Sequence, residues 1–151
     1  MRTPALICLL LSAAPAMAAT CTLTATSVPF GNYNAVLALP NDNTGTISVT
    51  CQSGLLELVS YSIALSAGNS GNAAARQLKA GANALNYNLY KDILHSNYWG
   101  SGAQALASSV QILTILTPFT TNYTVYGRIP AGQSSAPSGS YSDSIQATVT
   151  F

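Results

Sequence analysis

Charged side chains are nearly missing from this chain: Asp, Glu, Lys and Arg make up only 6% of its residues. Soluble domains ordinarily carry about a quarter. The basic residues (Arg2, Arg76, Lys79, Lys91, Arg128) and the acidic ones (Asp42, Glu57, Asp92, Asp143) almost cancel, leaving a formal net charge of +1. No basic stripe exists to grip phosphates or an anionic lipid surface, so nucleic acid is excluded as a partner. Histidine occurs once, as His95. No cysteine or second histidine stands near it in sequence, which argues against a metal site. Asp92 and His95 are three apart, but neither a nucleophile nor a second acid accompanies them. The residues for catalysis are absent, so the expectation is a protein that is no enzyme, takes no small-molecule substrate and uses no cofactor. Apolar runs long enough to span a membrane are lacking. A 3.6-residue apolar repeat is lacking too, which leaves little room for helices.

What remains is a chain of Thr, Ser, Asn, Gly and apolar residues in alternation. The N-terminus stands apart. Met1-Arg2 is followed by the apolar run 5–14 and by Ala16-Met17-Ala18, a small-x-small cleavage signature. Residues 1–19 are therefore expected to be a secretory signal peptide, and 20–151 a single domain. Cys8 leaves with the leader. Cys21 and Cys51 remain, an even count in an exported chain, and are expected to form one disulfide, the alternative being two buried thiols.

Strands are expected over 21–30, 45–51, 58–67, 76–79, 84–92, 108–116 and 123–129, with a last one running from Ser144 to Phe151. Residues 32–44 read as a loop, with turn chemistry at Pro40-Asn41-Asp42-Asn43. A helical turn or two is expected over 103–109. In the last strand Ile145, Ala147, Val149 and Phe151 point one way, while Gln146, Thr148 and Thr150 point the other. A strand at the end of a chain leaves an edge to be covered, and a strand from another chain is one recurring cover. The pattern as a whole predicts an all-β, immunoglobulin-like sandwich stapled by one disulfide. Tyr98-Trp99 has two readings. It is either an exposed adhesive pair on a loop or, the favoured reading, a core tryptophan closing one end of the sandwich. Arg128 is expected to pair with Asp143 or Asp92.

Several stretches resemble one family. YTVYGRIPAGQ (123–133) and GSYSDSIQATVTF (139–151) are its specific signatures, supported by CTLTATSVPFGNY (21–33), GTISVTC (45–51), YNLYKD (87–92) and Trp99-Gly100. Together they resemble the spore coat protein U domain, a family that includes subunits of archaic, Csu-type chaperone–usher pili. The resemblance implies an incomplete immunoglobulin-like domain lacking its last strand. It implies a groove beside Ile145, Ala147, Val149 and Phe151 that receives a strand from a periplasmic pilus chaperone. At the outer-membrane usher, a neighbouring pilin subunit then supplies the strand instead. Export through the periplasm to the cell surface follows. The alternative is a secreted spore-coat or cell-surface coat protein outside any pilus. After cleavage only Thr20, or Ala19-Thr20, precedes Cys21, whereas stacking pilins of the family carry an apolar donor segment there. The expectation is therefore a minor or tip subunit that accepts a strand without giving one.

Overall fold

The computed structural model describes residues 19–53, 57–112 and 117–151. Eight strands are present: β1 Thr20–Ala25, β2 Asn41–Gln52, β3 Glu57–Leu65, β4 Arg76–Ala80, β5 Asn83–Tyr90, β6 Leu106–Ile112, β7 Phe119–Ile129 and β8 Ala147–Thr150. They form a five-stranded sheet in the order β1-β2-β7-β5-β4 and a three-stranded sheet in the order β6-β3-β8, and every pairing is antiparallel. This is the all-β immunoglobulin-like architecture that the alternation calls for. The leader expected over 1–19 lies outside the described residues except for Ala19, and so do residues 113–116 of the expected strand 108–116.

Period-2 alternation explains the layers. Ile47, Val49 and Cys51 of β2 turn inward with Val59, Tyr61, Ile63 and Leu65 of β3, Leu85, Tyr87 and Leu89 of β5, and Val125 and Ile129 of β7. The intervening residues mostly face water, Asn88 of β5 being a buried exception. On the outer face of β1, β2 and β7 they are almost all hydroxyls and amides. Thr22, Thr50 and Thr120 fall in one cross-strand row, and Thr24, Ser48 and Asn122 in the next. Thr50 Oγ1 and Thr120 Oγ1 lie 2.8 Å apart. Hydroxyl ladders of this kind hydrate the surface that charge does not. A second polar link runs through the core, where the Tyr61 and Tyr123 hydroxyls meet at 2.6 Å and Tyr123 donates to Ser108 Oγ at 2.7 Å. It joins β3, β6 and β7 across the two sheets.

Cys21 and Cys51 face each other directly in the β1–β2 register and are bonded, with Cα atoms 4.1 Å apart. The link closes a loop of 30 positions.

Several boundaries differ from expectation, each for a local reason. The first strand leaves β2 at Ala25 rather than continuing to Phe30. Beyond Thr26, whose N–H still donates to Thr46 O at 2.9 Å, the chain crosses the inner face of the sheet. There the Asn43 side-chain amide donates to Pro29 O, and that of Asn41 to Phe30 O at 2.9 Å. Asn41–Thr44 are accordingly strand, paired with Tyr126–Ile129 of β7, and not a turn. The turn propensity of Asn and Asp yields here to a long partner strand. β7 likewise starts at Phe119, ahead of the expected Tyr123. Of the helical turns expected over 103–109, only the 3₁₀ turn Gly102–Gln104 forms, and β6 begins at Leu106. Arg128 pairs with neither Asp143 nor Asp92 but with Asp42, the residue opposite it on β2, at 2.6 Å.

Candidate functional site: an open cleft between the sheets

The last stretch of chain changes sheets. Ser142 first bridges to Lys79 on β4, at the edge of the five-stranded sheet, through N–H···O bonds of 2.8 and 3.0 Å. Four residues later Gln146 is held at the other sheet: Ser66 N–H donates to Gln146 O, and Gln146 N–H donates to Ser66 Oγ, both at 2.9 Å. β8 then pairs with β3, Ala147 opposite Leu65 and Val149 opposite Ile63. Among the described strands only β3 pairs with β8, so its other side is a sheet edge there. β1 forms the edge of the facing sheet, and the two edge strands lie against each other.

Between the crossing segments opens a cleft of about 1320 Å³. One side is lined by 25–36, the other by 136–145 and Ala147, and the floor is core: Ile47, Leu65, Leu85, Leu89, Val125 and Ile129. The first side is seated on a notch. A Cβ on Gly127 would lie 2.7 Å from Val28 Cγ1 and 2.8 Å from Phe30 Cζ. Glycine there lets both side chains drop onto the sheet, where Phe30 meets Tyr87 edge to face at 5.8 Å. Both sides also leave backbone donors unused. Among the described residues, the N–H groups of Ser27, Val28, Phe30, Gly31 and Asn32, and that of Ile145 opposite, donate to no other group. These residues are exposed or half-buried, so water can serve their N–H groups while the cleft is open, and an extended backbone can take its place.

The expected groove residues divide. Ile145 and Ala147 line the cleft, half-buried. Val149 continues the inward row beyond it. Phe151 is 55% exposed, lies past the end of the β8 ladder and is not among the residues lining the cleft.

Trp99 is a core residue, which corrects its place in an adhesive pair. It is fully buried, and its indole Nε1–H donates to Ile63 O at 2.9 Å. Tyr98, beside it, is half-buried. The large exposed apolar side chains lie elsewhere, including Val36, Leu37 and Leu39 before β2 and Ile93 and Leu94 after β5. His95, in that second loop, has a positive φ of 57° and packs its ring edge-on against Tyr90 at 5.0 Å. It contributes to local packing and contacts no catalytic partner. No group of three or more His, Cys, Asp or Glu able to hold a metal occurs among the described residues.

Two charged residues that sequence reasoning did not place at the groove anchor its surroundings. Arg76 is fully buried, and among the described residues it forms no ion pair. Its guanidinium donates to Ser66 O (Nε 3.0 Å, Nη2 2.6 Å), Trp99 O (2.7 Å), Ala73 O (3.2 Å) and Asn88 Oδ1 (2.8 Å). Burial pulls its pKa below the ordinary arginine value. Asp143, on the cleft wall, accepts the Tyr87 hydroxyl at 2.7 Å. Burial, and then this bond to a carboxylate, push the Tyr87 pKa far up.

The family model for the Spore Coat Protein U domain matches residues 7–148. The chain belongs to the Spore Coat Protein U domain family. It is 30% identical over 131 residues to Protein U of Myxococcus xanthus, a match covering 81% of this chain and 70% of that protein. Among solved structures it is similar to a chain of the CsuC–CsuE chaperone–tip adhesion subunit pre-assembly complex, from the archaic chaperone–usher Csu pili of Acinetobacter baumannii. The TM-score is 0.61 at 21% identity, over 88% of this chain and 40% of that one. The spore coat U domain here thus spans less than half of the neighbour's length, and at this identity the likeness is one of fold.

Proposed function

We propose that this chain is a non-enzymatic structural subunit of an archaic chaperone–usher pilus. Its cleft is completed by a strand from another chain. The observation that carries the reading is the pairing of an apolar floor with unused backbone donors on both sides of the cleft, next to the free edge of β8. An extended segment laid there satisfies the N–H groups and buries the floor at once, which is the physics of strand addition. A periplasmic chaperone supplies the strand first, and a neighbouring pilin replaces it at the outer-membrane usher. Residues 1–19 serve as the export signal, and the subunit acts at the cell surface. The finer part of the reading is a minor or tip position, receiving a strand without passing one on. The match to Protein U favours a second reading, a coat protein outside any pilus, in which the same cleft joins coat subunits.

The test is rescue. Residues 20–151 expressed alone are expected to aggregate, and co-expression with a pilus chaperone, or addition of a peptide copying a pilin donor strand, is expected to yield a soluble one-to-one complex. Ile145→Asp, which places a charge on the cleft wall, blocks the rescue; Thr148→Asp, on the exposed face of β8, does not. A cooperative, soluble monomer without any donor strand refutes the proposal. Labelled copies at fibre ends support the tip position, and label in a coat without fibres supports the second reading.

A further inference from the structure

Asp143 is the one acidic or basic side chain among the described residues that line the cleft. Its carboxylate lies in a built cradle. Oδ1 accepts the N–H groups of Asn69 and Ser144, each at 2.8 Å, and Oδ2 accepts the Tyr87 hydroxyl at 2.7 Å. Gly68, at φ +66°, makes the room, since a Cβ there would lie 2.2 Å from Oδ2. A carboxylate offers about four acceptor positions. Three are used, and one on Oδ2 is open. The nearest buried cation, Arg76, feels the charge of Asp143, but its hydrogen bonds go to carbonyls and to Asn88, and the two form no ion pair.

While the cleft is open, water serves the free acceptor position and screens the charge. A wholly apolar strand laid over it strips that water and leaves the carboxylate short of a partner, which is costly in a dry site. From this charge complementarity we infer that the permanent occupant of the cleft, the strand of a neighbouring subunit, carries one Lys or Arg among its inward-facing apolar residues, at the position beside Asp143. The pair fixes register. A slip of one residue turns the basic side chain to the outer face, and a slip of two carries it roughly 6.6 Å along the groove. Asp143 is thus a specificity-determining residue of the acceptor cleft. The inference rests on the strand-addition reading above.

Residues 20–151 are refolded with synthetic peptides of alternating apolar sequence in which a single Lys is moved through the inward-facing positions, and binding is followed by fluorescence polarisation. One Lys position is expected to bind about fivefold more tightly than the all-apolar parent, the size of a partly exposed charge pair. The advantage shrinks as salt is raised, and Glu at that same position binds more weakly than the parent. Asp143→Asn abolishes the Lys advantage, so that Lys, Leu and Glu at that position bind alike. Should that variant fail to fold, the comparison of Lys with Glu on the unaltered protein decides. Equal affinity for Lys, Glu and Leu at every position overturns the role of Asp143 while leaving the cleft an acceptor. Failure of every peptide to bind overturns the strand-addition reading itself.

Discussion

Arg76→Met is the substitution that probes most of the architecture at once. Methionine is unbranched and apolar and fits the same slot, so the change removes hydrogen bonds rather than opening a large cavity. Arg76 makes five donor contacts of 3.2 Å or shorter, to Ser66 O (twice), Trp99 O, Ala73 O and Asn88 Oδ1. Three backbone carbonyls and one amide lose a charged donor in a place water does not reach. Each such loss costs about 1–3 kcal/mol. Against it stands the relief of no longer burying a guanidinium. The four acceptors together put the gross loss at roughly 4–12 kcal/mol, and after that relief a net destabilisation of about 3–5 kcal/mol is the expected value. A domain has only about 5–15 kcal/mol to lose. At about 4 °C per kcal/mol for a domain of this size, the melting temperature should fall by roughly 12–20 °C. The assay is thermal unfolding by circular dichroism, with the cleft filled by the same donor peptide in both proteins. Because Ser66 also anchors Gln146, amide exchange should rise in the stretch from Ser140 to Thr150. A fall of less than about 4 °C would show that the guanidinium's own burial cancels its hydrogen bonds, and the reasoning would be refuted.

Cys51→Ser should destabilise the domain by about 3–4 kcal/mol on the loop-entropy model, read from urea midpoints with and without reductant. A midpoint unmoved by reductant would contradict it. Tyr87→Phe removes the hydroxyl that holds Asp143. Tyr87 has a raised pKa in the fold, so its neutral form is the one the fold favours. The stability it contributes is complete below the ordinary tyrosine value of about 10 and is lost as pH rises above it. The wild type should therefore lose stability between neutral pH and pH 11 more steeply than Tyr87→Phe, by denaturant titration at each pH. Parallel profiles would rule out the Tyr87–Asp143 bond as the cause.

Alternation alone determined a good deal of this molecule. Apolar residues two apart in β2, β3, β5 and β7 made the sheet faces legible, because side-chain direction in a strand is a local property with a period of two. Two cysteines outside the expected leader sufficed for the disulfide. The shortage of charge left hydroxyls and amides to hydrate the outward positions, and the cross-strand rows on β1, β2 and β7 are made of them. Motif resemblance pointed to an incomplete sandwich, which alternation could not do. What the chain could not disclose by itself concerns partners distant in sequence. Asn41 and Asn43 read as a turn until β7 is placed beside them. Arg128 finds Asp42, 86 positions away, because the β2–β7 register sets them opposite. Arg76 carries no local mark of burial, for its acceptors come from the end of β3, from the turn before β4, from β5 and from the Trp99 segment, and only the packed sheets bring these to one point. The departure of the first strand from β2 and the change of sheet near Ser142 follow the same rule. Local pattern sets which way a side chain points; which backbone lies alongside, and where the chain leaves one sheet for the other, is a balance of long-range contacts that exists only once the sheets have assembled.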